Sequence, residues 1–175
     1  MSQPRHHQRR TDDPSGIPFP PAFRLPPRTP KEKAAARRII AAEARRQLGK
    51  PYVYGARWQA APREFDCSSF AQYLYRHAGI VLPRVSIDQA AEGRRVPPGK
   101  GALKIGDLIF IKGRTGRYDR RFPQGIGHVI VVTGPDEVIH AKYKRVRGKH
   151  GGSVIRQTLS RILKRKDVTV VKRYM

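Results

Sequence analysis

The sequence predicts an α+β fold in which helices come first and an antiparallel sheet follows. Residues 31–92 carry apolar side chains at helical spacing, whereas residues 107–174 hold five short runs rich in β-branched residues. Gly134-Pro135-Asp136 is a tight turn between two of those runs, which makes them a hairpin and the sheet antiparallel.

Each element has its own signal. Residues 1–30 contain eight of the fifteen prolines: Pro4, Pro14, Pro18, Pro20, Pro21, Pro26, Pro27 and Pro30. That density excludes helix and ladder pairing, so a disordered or polyproline arm is expected over 1–30 and the folded domain over 31–175. From Lys31, KEKAAARRIIAAEARRQLGK reads as a helix by propensity, with Ile39, Ile40, Ala42, Ala44 and Leu48 on a ragged apolar side and Gly49 as its stop. PYVYG reads as extended chain. A second helix is expected from Cys67, capped by Asp66, with Phe70, Tyr73, Leu74 and Ala78 at helical spacing and Gly79 ending it. Ser86 is expected to cap a short helix running through Glu92. Strands are expected at 107–111, 128–134, 137–143, 153–158 and 168–174. Between the first two of these lies KGRTGRYDRRFPQGI, a polar, basic loop too long for a simple hairpin and of a length often tied to function.

Charge narrows the partners. In 175 residues, 37 Lys plus Arg face 13 Asp plus Glu, a formal net charge of +24, which calls for something anionic. The excess lies in residues 1–66 and 112–175, while 67–111 is nearly balanced. This suggests a working centre with basic surfaces around it, rather than a nucleic-acid reader whose core would be the basic part. The densest clusters are Lys142, Lys144, Arg145, Arg147 and Lys149, and Arg161, Lys164, Arg165 and Lys166. Such clusters bind phosphates without sequence preference. One cysteine excludes an intramolecular disulfide, and no paired Cys/His spacing suggests a structural zinc site. The polar N-terminus lacks the apolar stretch of a secretory signal, and no run is long enough to span a bilayer. A soluble product is therefore expected, one that reaches any envelope target by another route.

Cys67 is the position richest in chemistry. At the first turn of a helix, unpaired N–H groups and the helix dipole favour a thiolate, so a lowered pKa is expected. His128 opens one strand and His140 lies near the end of the next. Across the Gly134 turn the two imidazoles come to the same end of the sheet. A base beside a cysteine, with a third polar group to orient the base, is what thiol catalysis requires. The chemical rival is a zinc site built from Cys67, His128 and His140, disfavoured because its ligands come from three separate segments.

LGKPYVYG, FDCSSFAQYLYRHAGIVLPRVSIDQ, LKIGDLIFI, GHVIVVTG and VIHA, in that order between about Ala34 and Lys142, resemble the motif blocks of the NlpC-type cell-wall cysteine peptidases. The resemblance implies a papain-like fold in which a helix bearing the nucleophile packs on a small antiparallel sheet bearing the base. It implies Cys67 as nucleophile, His128 as general base and His140 as the residue orienting that base. Tyr52 matches a tyrosine near the oxyanion and the amine end of the substrate. Asp66, Ser68 and Ser86 match positions that help to hold the free amine of a stem peptide beginning with L-Ala. Asp66 fills that role as well as the cap only if one of its oxygens stays free. No cofactor and no catalytic metal are implied.

The implied reaction is hydrolysis of amide bonds in peptidoglycan stem peptides, between γ-D-glutamate and the following diamino acid. The partner is then peptidoglycan or another anionic envelope polymer, and the setting that of a phage lysis or tail enzyme or an injected effector. Acyltransferases and amidases on related folds share the Cys-His chemistry. The alternative from another class is a diverged, inactive fold that binds nucleic acid or another polyanion non-specifically. The sequence departs from the pattern at Ala56 and Ser69, where the family usually has glycines, and in long stretches at 55–65 and 112–127.

Overall fold

The computed structural model describes residues 29–113, 116–146 and 149–175. All but the last two residues of the expected arm, and Arg147 of the basic 142–149 stretch, lie outside these ranges. Helix α1 spans Pro30–Arg46. Its start is fixed by a capping box: the Thr29 hydroxyl accepts from the Glu32 N–H at 3.2 Å, and the Glu32 carboxylate accepts from the Thr29 N–H at 2.8 Å. The helix ends at Gln47, two residues before Gly49, whose φ of +83° turns the chain. Ala36, Ile40 and Ala44, spaced four apart, form its buried stripe against α2, Cys67–His77, which contributes Phe70, Ala71, Leu74 and Tyr75. Gly79, at φ +72°, follows the last residues of α2 as expected. Helix α3 covers Ser86–Ala91, and its N-cap is Val85, not Ser86. Val85 is extended and Ser86 is already the first helical residue, so the serine hydroxyl is not placed to cap.

Among the described residues eight strands follow, more than the five expected: β1 Arg94–Val96, β2 Leu108–Ile111, β3 Arg117–Asp119, β4 Phe122–Ile126, β5 His128–Gly134, β6 Glu137–Val146, β7 Lys149–Thr158 and β8 Val168–Arg173. Six form an antiparallel sheet in the order β1-β8-β2-β5-β6-β7. The expected 112–127 loop is partly a separate β3–β4 hairpin. β6 and β7 run longer than expected, ten residues each, to Val146 and from Lys149. A fourth helix, α4 at Leu159–Leu163, was not signalled by any periodic run.

The sheet is covered on both faces. Leu108, Phe110, Val129, Val131, Ile139 and Ala141 pack with α1 and α2. Ile109, Ile111, Ile130, Val132 and Val138 point the other way and pack with Leu159 and Ile162 of α4. This two-sided burial explains why DLIFI and HVIVV are continuous apolar runs rather than alternating ones. Each fully buried Leu, Ile or Val contributes about 1.5–3 kcal/mol relative to exposure. One buried ion pair ties the sheet to its approach: Arg173 donates to both oxygens of Asp107 at 2.7 and 2.6 Å, with Asp107 1% exposed. At the sheet margins, β1 is three residues long with Arg94 and Arg95 exposed, and β7 is met by a bridge between Pro51 and Ser153. No described helix is long and apolar enough to cross a membrane.

Candidate active site

The start of α2 carries the thiol. Asp66 caps it through a reciprocal pair: its Oδ1 accepts from the Ser69 N–H at 2.7 Å, and the Ser69 hydroxyl accepts from the Asp66 N–H at 2.9 Å. Ser69, where the family pattern has glycine, therefore closes a capping box and sits fully buried. The cap positions Cys67 at the first helical residue. The α3 segment is fastened to the same turn by Gln89, whose amide donates to the Ser68 and Pro83 carbonyls at 3.0 and 2.8 Å.

The extended PYVYG segment is held as a splint between β7 and the residue before the cap. The Tyr52 N–H donates to the Gly152 carbonyl, the Val53 N–H to the Phe65 carbonyl and the Phe65 N–H to the Pro51 carbonyl. This brings the Tyr52 side chain beside Cys67 and Asp66. Burial, followed by the proximity of Cys67 and Asp66, pushes the Tyr52 phenol well up, so it stays a protonated donor.

The sheet supplies the imidazoles. In the β5–β6 register Val131 faces Ile139, which sets His128 diagonally from His140 on the same face. His128 Nε2 and His140 Nδ1 are 2.6 Å apart. His140 is 2% exposed, and its Nε2 lies 2.8 Å from Oε1 of Gln157 on β7. The Val129 N–H donates to the Cys67 sulfur, so the thiol rests against the peptide that follows His128.

All seven residues singled out from the sequence, Tyr52, Asp66, Cys67, Ser68, Ser86, His128 and His140, line one cleft of about 1060 Å³. Among the described residues, four cations line it too: Arg84, Arg117, Lys142 and Arg165. The one carboxylate among the described lining residues, Asp66, is already engaged at both oxygens. Oδ2 accepts from Arg84 at 2.6 Å, while Oδ1 accepts from Ser69 and from the Ser68 hydroxyl at 3.2 Å. The Arg84 fork also donates to Ser68 Oγ and to the Ala56 carbonyl. The condition for Asp66 to hold an amine as well as cap the helix is therefore unmet while Arg84 stays in place.

The electrostatics reverse one expectation. Burial pushes the Cys67 thiol up to about 12, and the Asp66 carboxylate adds to the shift. The N–H groups of Val129 and Ser68 and the Arg84 charge act the other way without prevailing. Burial, with the acidic cap adding to it, outweighs the positive end of the helix that was expected to lower the thiol. Burial likewise holds His128 well below the usual imidazole range, helped by His140, Arg165 and Lys142. It holds His140 at about 4, with Lys142 and Arg165 adding to the effect and the Gln157 hydrogen bond opposing it. The resting pair is a neutral thiol and a neutral imidazole. The zinc arrangement is disfavoured by the same geometry, because the two imidazoles spend facing nitrogens on each other.

Sequence reasoning missed Gln157 and the role of Arg84. Arg84 stands inside a quoted block, but its pairing with Asp66 depends on how α3 folds back over α2. Gln157 becomes a neighbour of His140 only through the β6–β7 register, which the sequence does not state.

The sequence model of the NlpC/P60 family matches residues 49–171. The chain is 35% identical over 121 residues to the probable endopeptidase p60 of Listeria monocytogenes, covering 66% of this chain and 22% of that protein. It is 34% identical over 104 residues to the gamma-DL-glutamyl hydrolase of Bacillus subtilis, covering 58% and 22%. The match thus spans about a fifth of these relatives' length. Among solved structures, the peptidoglycan hydrolase RipB of Mycobacterium tuberculosis superposes with a TM-score of 0.61 at 25% identity, over 85% of this chain and 69% of that one.

Proposed function

Since the chain belongs to the NlpC/P60 family, of papain-like α+β fold, we propose that it is a cysteine peptidase cleaving peptidoglycan stem peptides between γ-D-glutamate and the next diamino acid. In this reading residues 31–175 form the catalytic unit and residues 1–30 an arm. The observation that carries it is the 2.6 Å contact between His128 and His140 on the wall of the cleft that also holds Cys67.

The chemistry follows from the neutral resting pair. His128 takes the thiol proton as the sulfur attacks the carbonyl, so charge separates only along the reaction coordinate. The Cys67 N–H and the Tyr52 hydroxyl supply donors for the oxyanion, each worth a few kcal/mol in comparable sites, about 3 kcal/mol. The His128 imidazolium then protonates the leaving amine, and water activated by the same ring releases the acyl group.

The cations of the cleft support the choice of bond. A γ-linked glutamate keeps its α-carboxylate free, and Arg117, Lys142 and Arg165 suit a substrate with carboxylates beside the scissile amide, Arg84 being paired with Asp66. A relative named for γ-glutamyl hydrolysis points the same way. The net charge of +24 favours attachment to an anionic envelope polymer, with weaker, salt-sensitive binding to nucleic acid as the by-product.

The test is digestion of purified stem peptides and sacculi by wild type, Cys67→Ala and His128→Ala. Mass spectrometry is expected to find new γ-D-glutamyl carboxyl ends and diamino-acid amine ends with wild type alone. Cleavage by Cys67→Ala at the wild-type rate would sink the thiol mechanism.

A further inference from the structure

Gln157 sits on β7, half-buried, on the wall of the cleft, and its amide oxygen is 2.8 Å from Nε2 of His140. A carboxamide oxygen only accepts, so this contact requires the proton of His140 to be on Nε2. Nδ1 of His140 is then bare, and at 2.6 Å it accepts from Nε2–H of His128. A neutral imidazole carries one proton, so Nδ1 of His128 is left bare as the free lone pair of the ring. Rotating the amide by half a turn inverts every step: its NH₂ donates to His140 Nε2, the proton of His140 moves to Nδ1, and His128 must carry its proton on Nδ1. The ring would then have no lone pair on that side to receive the thiol proton.

We propose that Gln157 is a positioning residue that sets the tautomers of both histidines and so keeps Nδ1 of His128 open as the base for Cys67. This rests on the reading of Cys67 and His128 as nucleophile and base. The register explains why residue 157 is in place. His140 faces Ile155 and Val138 faces Gln157 across the β6–β7 ladder, so 128, 140 and 157 step diagonally over three adjacent strands on one face. The relay is neutral from end to end, because its outer member is an amide. The charges nearest the pair are Lys142 on β6 and Arg165 beyond α4, both repelling an imidazolium.

The experiment joins imidazole ¹⁵N NMR of the free protein with pH–rate profiles on a stem peptide, for wild type, Gln157→Leu and Gln157→Glu. Wild type is expected to show Nε2–H tautomers at both His128 and His140. Gln157→Leu is expected to lose that bias and to drop kcat by roughly 10- to 100-fold with KM little changed, because the substrate contacts remain. Gln157→Glu, which also only accepts, is expected to keep the tautomers, recover most of kcat and move the acidic limb of the profile to higher pH. An Nδ1–H tautomer at His128 in wild type, or unchanged tautomers and kcat in Gln157→Leu, would overturn the proposal. The NMR measurement needs no substrate, so wild-type tautomers as expected in a protein that cleaves no stem peptide would remove the peptidase reading and leave the assignment to Gln157 standing.

Discussion

Burial sets the behaviour of the single cysteine and the two histidines more than sequence position does. Because His128 and His140 are both held low, neither is protonated in the free protein at pH 6.5, the ordinary imidazole value. With His128 as the proposed base, kcat/KM is therefore expected to stay level as pH falls through 6.5 and to decline only further down, where His128 is protonated. A stopped assay across pH 4–8 checks this, and an acidic limb at or above 6.5 would contradict it. The same shift bears on stability. The unfolded chain takes up a proton at His140 near 6.5 and the folded chain only near 4, so the stability is complete above 6.5 and is lost as pH falls toward 4. The loss is on the order of 3 kcal/mol. Thermal melts of wild type against His140→Asn across that window are expected to show a slope in wild type that the variant reduces, the remainder coming from His128.

At the scale of elements, the site is assembled where three pieces of chain meet: the capped start of α2, the splint around Tyr52 and the β5–β6–β7 ladder. The first was readable because capping is local, with Asp66 three residues before Ser69. The β5–β6 hairpin was readable because a two-residue turn fixes which strands pair. What stayed hidden depends on burial, on where a helix begins by one residue, and on contacts distant in sequence. Ser86 does not cap α3 because the helix starts one residue earlier than its side-chain chemistry suggested, and Cys67 is not acidified because burial raises its pKa, with the anionic cap adding to the effect. Arg84 illustrates the same limit, since it reaches Asp66 only after α3 packs on α2. Replacing it with Gln frees one carboxylate oxygen. The ratio of kcat/KM for stem peptides with a free N-terminal amine over their N-acetylated forms is expected to rise by about tenfold in Arg84→Gln, the worth of one charge-assisted hydrogen bond. Competition between the two peptides, followed by chromatography, reads that ratio directly.

For the molecule as a whole, one hidden ion pair carries more weight than the many on the surface. Exposed pairs such as Arg121 with Asp88 contribute about 0–1 kcal/mol each. Asp107, 1% exposed and bound at both oxygens by Arg173, with the Lys104 N–H on Oδ2 as well, is different, because removing it strands a buried guanidinium. Asp107→Ala is expected to cost about 3–5 kcal/mol in denaturant titrations, with the midpoint shifted and the slope preserved. The quoted LKIGDLIFI block thus includes an aspartate whose service is to hold β8 against β2. The margins of the sheet carry a different consequence. A sheet with six strands presents two borders of unpaired N–H and C=O groups, and such borders recruit other chains into fibrils. Here one border is cut to three residues bearing Arg94 and Arg95, and the other is blocked at its middle by Pro51. Arg94 and Arg95 thus place part of the basic excess on a border of the sheet, where like charge opposes edge-to-edge pairing with a second copy.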